Sequence, residues 1–196
     1  MQVIAREADV STRTLYNLFG TLDVLLLDAA AQMLDDLLAS ASVHESERGI
    51  PQLLAFASGG IRPFVDAPEY ARAVIAILAR ADLSREDAYA RFGPVQRVAL
   101  DVLEYARDHG ELVEGANPLT LSWLIASNGW GAVLLWEKGL LDVRELEHKV
   151  TMNNCLTLIP MTVGRRQRAL ERALVHLLRG SELDLPLREA QLKSTG

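Results

Sequence analysis

From Gly115 to Trp136 no residue carries a charge, and the same holds from Val150 to Gly164. A helix that is apolar all round has no side to give to water, so it needs neighbours on every face. One domain of this size rarely encloses two such helices completely. The pattern therefore predicts that one face meets the core and the other meets a second copy of the chain. Paired antiparallel helices from two subunits would form a four-helix bundle about a two-fold axis. Trp136, Met152, Leu156, Leu158 and Ile159 are the residues expected at that contact. The first stretch also approaches the ~20 residues that cross a bilayer. Its Asn117, Pro118, Ser122, Ser127, Asn128, Gly129 and Gly131 favour a buried helix of a soluble protein instead.

The rest of the chain is punctuated as helix throughout, with no alternating apolar and polar run between hairpin turns. Short helices are expected over Gln2 to Ala8 and, capped by Ser11, up to Phe19. Thr21 caps a long helix to about Ala41, and a polar connector covers His44 to Gly49. The next helix starts at Ile50 and is disturbed at Gly59-Gly60 and Pro63; another runs from Pro68 to about Ala81. A long helix capped by Ser84 is expected to kink or break at Gly93-Pro94 and to end at His109-Gly110. Pro118 opens the uncharged helix, Asp142 opens the next, Pro160 stops or kinks it, and Gly164 to Leu178 forms the last. The fold class is all-α. Residues 1–35 are expected to form a partial helix-turn-helix head with its connecting helix, 36–185 a ligand-sensing and dimerisation bundle, and 186–196 a tail.

Composition narrows the function. Hydrophobic residues make up 49% and charged residues 23% of 196, which is a globular balance. A net charge of −6 argues against a surface that binds nucleic acid everywhere, but leaves room for a small DNA-binding head. The single Cys155 excludes an intrachain disulfide and a cysteine-based zinc site. That usage, and a start with no apolar leader, predict a cytoplasmic protein.

The segment Val3 to Phe19 carries the functional signal. Ile4, Ala5 and Ala8 share one helical face, and Ala5 is small enough for another helix to approach. Val10 is expected to point inward after the turn, with Leu15, Leu18 and Phe19 as the buried side of the second helix. The opposite side holds Thr12, Arg13, Tyr16 and Asn17, all able to hydrogen-bond or stack. Two short helices with a tight turn and a polar outer face can enter a major groove ~12 Å wide. Arg13 and Asn17, four residues apart, could present a guanidinium and an amide to base edges; a merely solvated face is the plainer alternative. Ser11 can serve as an N-cap alone, and Tyr16 as half-buried core.

The order Ile4-Ala5-x-x-Ala8-x-Val10-Ser11-x-x-Thr14-Leu15-Tyr16-x-x-Phe19 closely resembles the TetR family of transcriptional repressors. The resemblance covers residues 3–26, with Gly20-Thr21 and Asp23 to Leu26 opening what would be the family's fourth helix. Gly110-Glu111-Leu112, then Pro118 and an apolar helix, also look like the family's sensor domain. The resemblance implies a homodimer that binds a palindromic operator and releases it when a small molecule occupies the sensor. It implies DNA contact by Ser11, Thr12, Arg13, Thr14, Tyr16, Asn17 and Thr21, with Ser11 and Tyr16 near phosphate. Three departures stand out. The family has a further helix, usually with a basic arm, before this motif, so a preceding segment is expected and Met1 is read as internal. Asp9 stands where the turn usually carries Gly, and Asp tolerates left-handed backbone better than most residues. Leu22 stands where a phosphate-contacting Lys is usual, and Arg6 and Arg13 face Glu7, Asp9 and Asp23, so much of the basic surface is expected from that preceding segment.

Aromatic residues concentrate in the later helices. Phe64, Phe92, Tyr105, Trp123 and Trp130 are expected to enclose an apolar or aromatic effector, with Ser127 and Asn128 supplying polar groups. Each aromatic has core packing as its plainer alternative. No Arg or Lys cluster accompanies them, which disfavours a strongly anionic effector. No cofactor and no metal are expected. Glu145 and His148 have the Glu-x-x-His spacing of di-iron bundles, but such sites need a second copy of the motif. His44, His109 and His176 show no ligand spacing. An enzyme is therefore not expected. The alternative function is a helical dimer that binds a ligand or a protein and has lost DNA binding.

Overall fold

A computed structural model describes residues 1–22, 24–29, 31–32, 48–80 and 84–180, with only the backbone for Arg85, Asp87, Arg91 and Phe92. The described residues are all-helical, with a single isolated bridge, Leu112 to Thr162, in place of any strand. The elements are α1 (Gln2–Glu7), α2 (Thr12–Phe19), α3 (Ile50–Gly59), α4 (Arg62–Asp66), α5 (Pro68–Arg80), α6 (Arg85–Asp108), α7 (Pro118–Glu137), α8 (Val143–Leu158), a 3-10 turn (Ile159–Met161) and α9 (Gly164–Gly180). Residues 24–29 are also helical. Most of the helix expected up to Ala41, residues 44–47 of the expected connector, and the tail 186–196 lie outside the described residues.

Local chemistry explains the boundaries. Asp142 and Glu145 form a reciprocal capping box at the start of α8, and Asn117 accepts from the Thr120 N–H to open α7, with Pro118 in the first turn. Pro63 divides α3 from α4, and Pro160 falls in the 3-10 turn that ends α8. Pro94 does not break α6, which is continuous through it. The long helix packs against α3 and α7 through Ala99, Val102, Leu103 and Ala106, and that packing outweighs one lost backbone bond.

Two cores lie along one helical hairpin. The first joins Ile61 and Phe64 to Ala71, Val74, Ile75 and Leu78 of α5, Val133 and Trp136 of α7, and Leu146 and Val150 of α8. The second joins Ile50 and Leu53 of α3 to Leu103 of α6, Leu121 and Ile125 of α7, Cys155 and Leu158 of α8, and Leu170 of α9. Helices α7 and α8 are antiparallel, and each contributes to both cores. Helix α7 is the one described helix long and apolar enough to cross a membrane; 39% of its most apolar window is buried inside the fold.

A polar strut ties the second core together. Glu111 accepts from the Ile50 N–H at 3.1 Å and from Arg166 Nε at 2.7 Å, so one carboxylate joins α3, the α6–α7 connection and α9. Gly49 makes room for it. At φ 83° the residue is left-handed, and a β-carbon there would collide with the Glu111 carboxylate.

Candidate functional site

Helices α1 and α2 meet across a turn in which Asp9 adopts φ 52°, the left-handed geometry that the turn requires. Ser11 caps α2: its Oγ accepts from the Thr14 N–H at 3.0 Å and shares a hydrogen bond with Thr14 Oγ1 at 2.7 Å. Thr21 Oγ1 accepts from the Val24 N–H at 3.2 Å and restarts the helix after Gly20. Ala5 and Leu15 are buried between the two short helices. Arg13, Thr14, Tyr16 and Asn17 are exposed and Thr12 is half-buried, so the polar row expected from the sequence faces outward as one surface. Val10 and Leu18 do not point inward as expected: they are 39% and 69% exposed. Two short helices enclose only a small common core, and these side chains fall outside it.

The head joins the rest through the helical residues 24–29. Leu27 packs against the first core, to which Ile61 and Phe64 belong.

Those same two residues line a cavity of about 80 Å³ between α3, α4, α6, α7 and α8. Among the described residues its wall is aliphatic, aromatic or glycine except for Asn154. Of the residues expected to enclose an effector, Phe64 and Trp130 line this cavity. The Phe92 side chain lies outside the described residues. Four others do not line it. Tyr105 stacks on His109 at 3.8 Å beneath Arg48, at the far end of α6. Trp123 is 44% exposed and Ser127 is exposed, both on the outer side of α7. Asn128 stands behind the wall rather than in it. Its Nδ2 donates to Asn154 Oδ1 and to Thr157 Oγ1, both at 3.0 Å.

Asn154 was not found by sequence reasoning. It is fully buried, and its Nδ2 meets no acceptor among the described residues. The signal available was two adjacent asparagines, Asn153 and Asn154, inside an uncharged helical stretch. A buried amide is retained where it has a partner.

The expected dimer residues divide. Trp136 is 1% exposed, crossed by Phe64 edge-on at 5.6 Å and by the Arg72 guanidinium at 5.0 Å. Leu158 and Met152 are buried as well. These three belong to this chain's own core and have no surface to offer a second copy. Ile159 is partly buried against the second core, and Leu156 is 54% exposed. The outward surface of α7 is formed instead by Leu119, Trp123, Leu124, Ser127, Gly131, Leu134 and Leu135, which fall on one side of the helix opposite its buried residues. That surface has no charge.

Among the described residues no group of three or more His, Cys, Asp or Glu could hold a metal ion. Glu145 is committed to the cap of α8, where it accepts from the Asp142 N–H at 3.0 Å. Cys155 is buried, and burial pushes its thiol pKa up, away from the reactive thiolate.

No protein-family model, curated protein or solved structure matches this chain.

Proposed function

We propose that this chain is a ligand-responsive DNA-binding repressor of the TetR type, working as a homodimer. The observation that carries the reading is the Ser11-capped α2, held by Ala5 and Leu15 and turning Arg13, Tyr16 and Asn17 to solvent. Arg13 and Asn17 read base edges. Ser11, Thr12, Thr14, Tyr16 and Thr21 position the helix on phosphates, which carry little sequence information themselves. The uncharged outer side of α7, with Trp123, Leu124, Leu134 and Leu135, packs against the same surface of a second copy, because a contiguous exposed apolar patch of this kind marks an interaction site.

The connection between head and cavity supports regulation. Ile61 and Phe64 wall the cavity and also belong to the core on which Leu27 rests. An apolar effector that spreads this wall tilts the helix carrying Leu27 and changes the spacing of the two reading heads. It shifts DNA binding only by its differential affinity for the two arrangements.

One observation favours the alternative of a ligand- or protein-binding dimer without DNA: Leu22, 39% exposed, offers no charge to a phosphate. A gel shift with DNA flanking the gene, run against random duplex over a salt series, separates the two. A repressor retards its own flanking DNA at concentrations that leave random duplex free. Equal retardation, or none at low salt, removes the DNA-binding reading.

A further inference from the structure

The hydrogen-bond chain behind the cavity fixes which end of the Asn154 amide is left without a partner. Thr157 Oγ1 lies 2.8 Å from the Asn153 carbonyl oxygen, so its proton lies between those two oxygens. Thr157 Oγ1 must then accept from Asn128, which makes the contacting atom of Asn128 its Nδ2. The second proton of that Nδ2 goes to Asn154 Oδ1. Asn154 cannot flip without setting two amide nitrogens against each other. Its own NH2 is therefore left over, fully buried, on a residue of a cavity whose other described lining residues are aliphatic, aromatic or glycine. An unpaired donor in such a place is unfavourable until an acceptor arrives.

We infer that the cavity selects an uncharged apolar molecule carrying one hydrogen-bond acceptor, a ketone, ester, amide or ether oxygen, which accepts a hydrogen bond from Asn154 Nδ2. This rests on the cavity being the effector site proposed above. A plain hydrocarbon fills the space but leaves the donor orphaned. A carboxylate or phosphate is disfavoured, because one neutral amide does not replace the water lost by a full charge. Asn128 and Thr157 act as positioning residues: they hold the Asn154 amide in register and do not touch the ligand. Gly129 also lines the cavity, and a β-carbon there would meet nothing within 4 Å, so a larger side chain at that position occupies ligand space.

The experiment uses two matched pairs of probes in which an oxygen replaces a methylene group: cyclopentanone with methylenecyclopentane, and acetophenone with α-methylstyrene. Affinities for the full chain are measured by calorimetry and by Trp fluorescence. In Asn154→Leu the ketone-to-alkene affinity ratio is expected to fall about tenfold relative to wild type, the size of one buried hydrogen bond. Gly129→Leu is expected to weaken both members of a pair together. Independently of any variant, the carbonyl stretch of ¹³C=O-labelled ketone bound to wild type is expected below its frequency in alkane solvent. An unchanged ratio in Asn154→Leu, or an unshifted carbonyl band, overturns the role of Asn154 and leaves the sensor reading standing. Failure of wild type to bind any of the four probes overturns both the acceptor selection and this cavity as the effector site. Retarded flanking DNA in the gel shift would still stand apart from either result.

Discussion

Glu111 gives the sharpest test of how the bundle is held together. In Glu111→Leu two partners are abandoned at once. The Ile50 N–H, on a residue 2% exposed, lies beyond the reach of bulk water, and an unsatisfied donor there costs about 1–3 kcal/mol. Arg166 has 30% of its side chain exposed against 12% for Glu111, so it is partly rescued by solvent, and its lost pair is worth about 1 kcal/mol, near the upper end for exposed pairs and well below a fully buried one. The sum is about 2–4 kcal/mol, which for a chain of this size lowers Tm by roughly 4–16 °C. Glu111→Gln keeps an acceptor for Ile50 and should lose about half as much. Thermal and urea unfolding followed by circular dichroism read both variants. A cycle with Arg166→Met should show coupling of about 0.5–1 kcal/mol, since the two groups share one hydrogen bond. If Glu111→Leu lies within about 0.5 kcal/mol of wild type, the range of ordinary surface substitutions, the strut does not carry the junction of α3, the α6–α7 connection and α9.

Four further outcomes follow from the same contacts. Arg13→Ala and Asn17→Ala should relax sequence preference by about 1–3 kcal/mol at single base pairs, whereas Ser11→Ala and Tyr16→Phe should weaken cognate and random DNA alike, as competition binding can distinguish. Leu124→Glu and Leu135→Glu should give folded monomers in sedimentation, while Leu158→Glu should yield unfolded or insoluble chain, because it places a carboxylate in this chain's own core. Cys155 should react with a thiol reagent only as fast as the protein opens. Its raised pKa means the folded state holds the thiol proton where the unfolded chain releases it, so the associated stability is full below the ordinary thiol range and falls as pH rises through it, by up to about 1.4 kcal/mol per pH unit.

Most element boundaries were legible because they rest on local chemistry. The sequence marks Ser11, Thr21 and Asp142 as helix starts, and each accepts a backbone N–H in that role; it marks Pro118 as opening α7, where Asn117 supplies the cap. Of the two outcomes the sequence leaves open at Gly93-Pro94, the break does not occur: a proline break is a local penalty, whereas the continuity of α6 is decided by its packing against α3 and α7. Trp136, Met152 and Leu158 turn inward against the expected dimer contact for a related reason. A helix with no charge looks the same from every side, so its pattern cannot say that Trp136 turns inward while Trp123 turns outward. The cavity was half legible: Phe64 and Trp130 were anticipated as aromatic lining. Asn154 was not, since its importance lies in what Asn128 and Thr157 do to its amide, and that depends on an interhelical register absent from the linear pattern.

The central claim is that α2 reads DNA in a two-fold assembly, and selection from random duplex tests it most directly. The full chain is incubated with a pool of random-sequence duplex at low salt, bound DNA is amplified and sequenced, and the cycle is repeated with a chain carrying Arg13→Ala and Asn17→Ala. The expected result is an inverted repeat whose half-site centres lie ~34–36 Å apart or at a multiple of that spacing, enriched by the wild-type chain and lost with the double variant. Enrichment of no sequence, or of the same sequence by both chains, would contradict it.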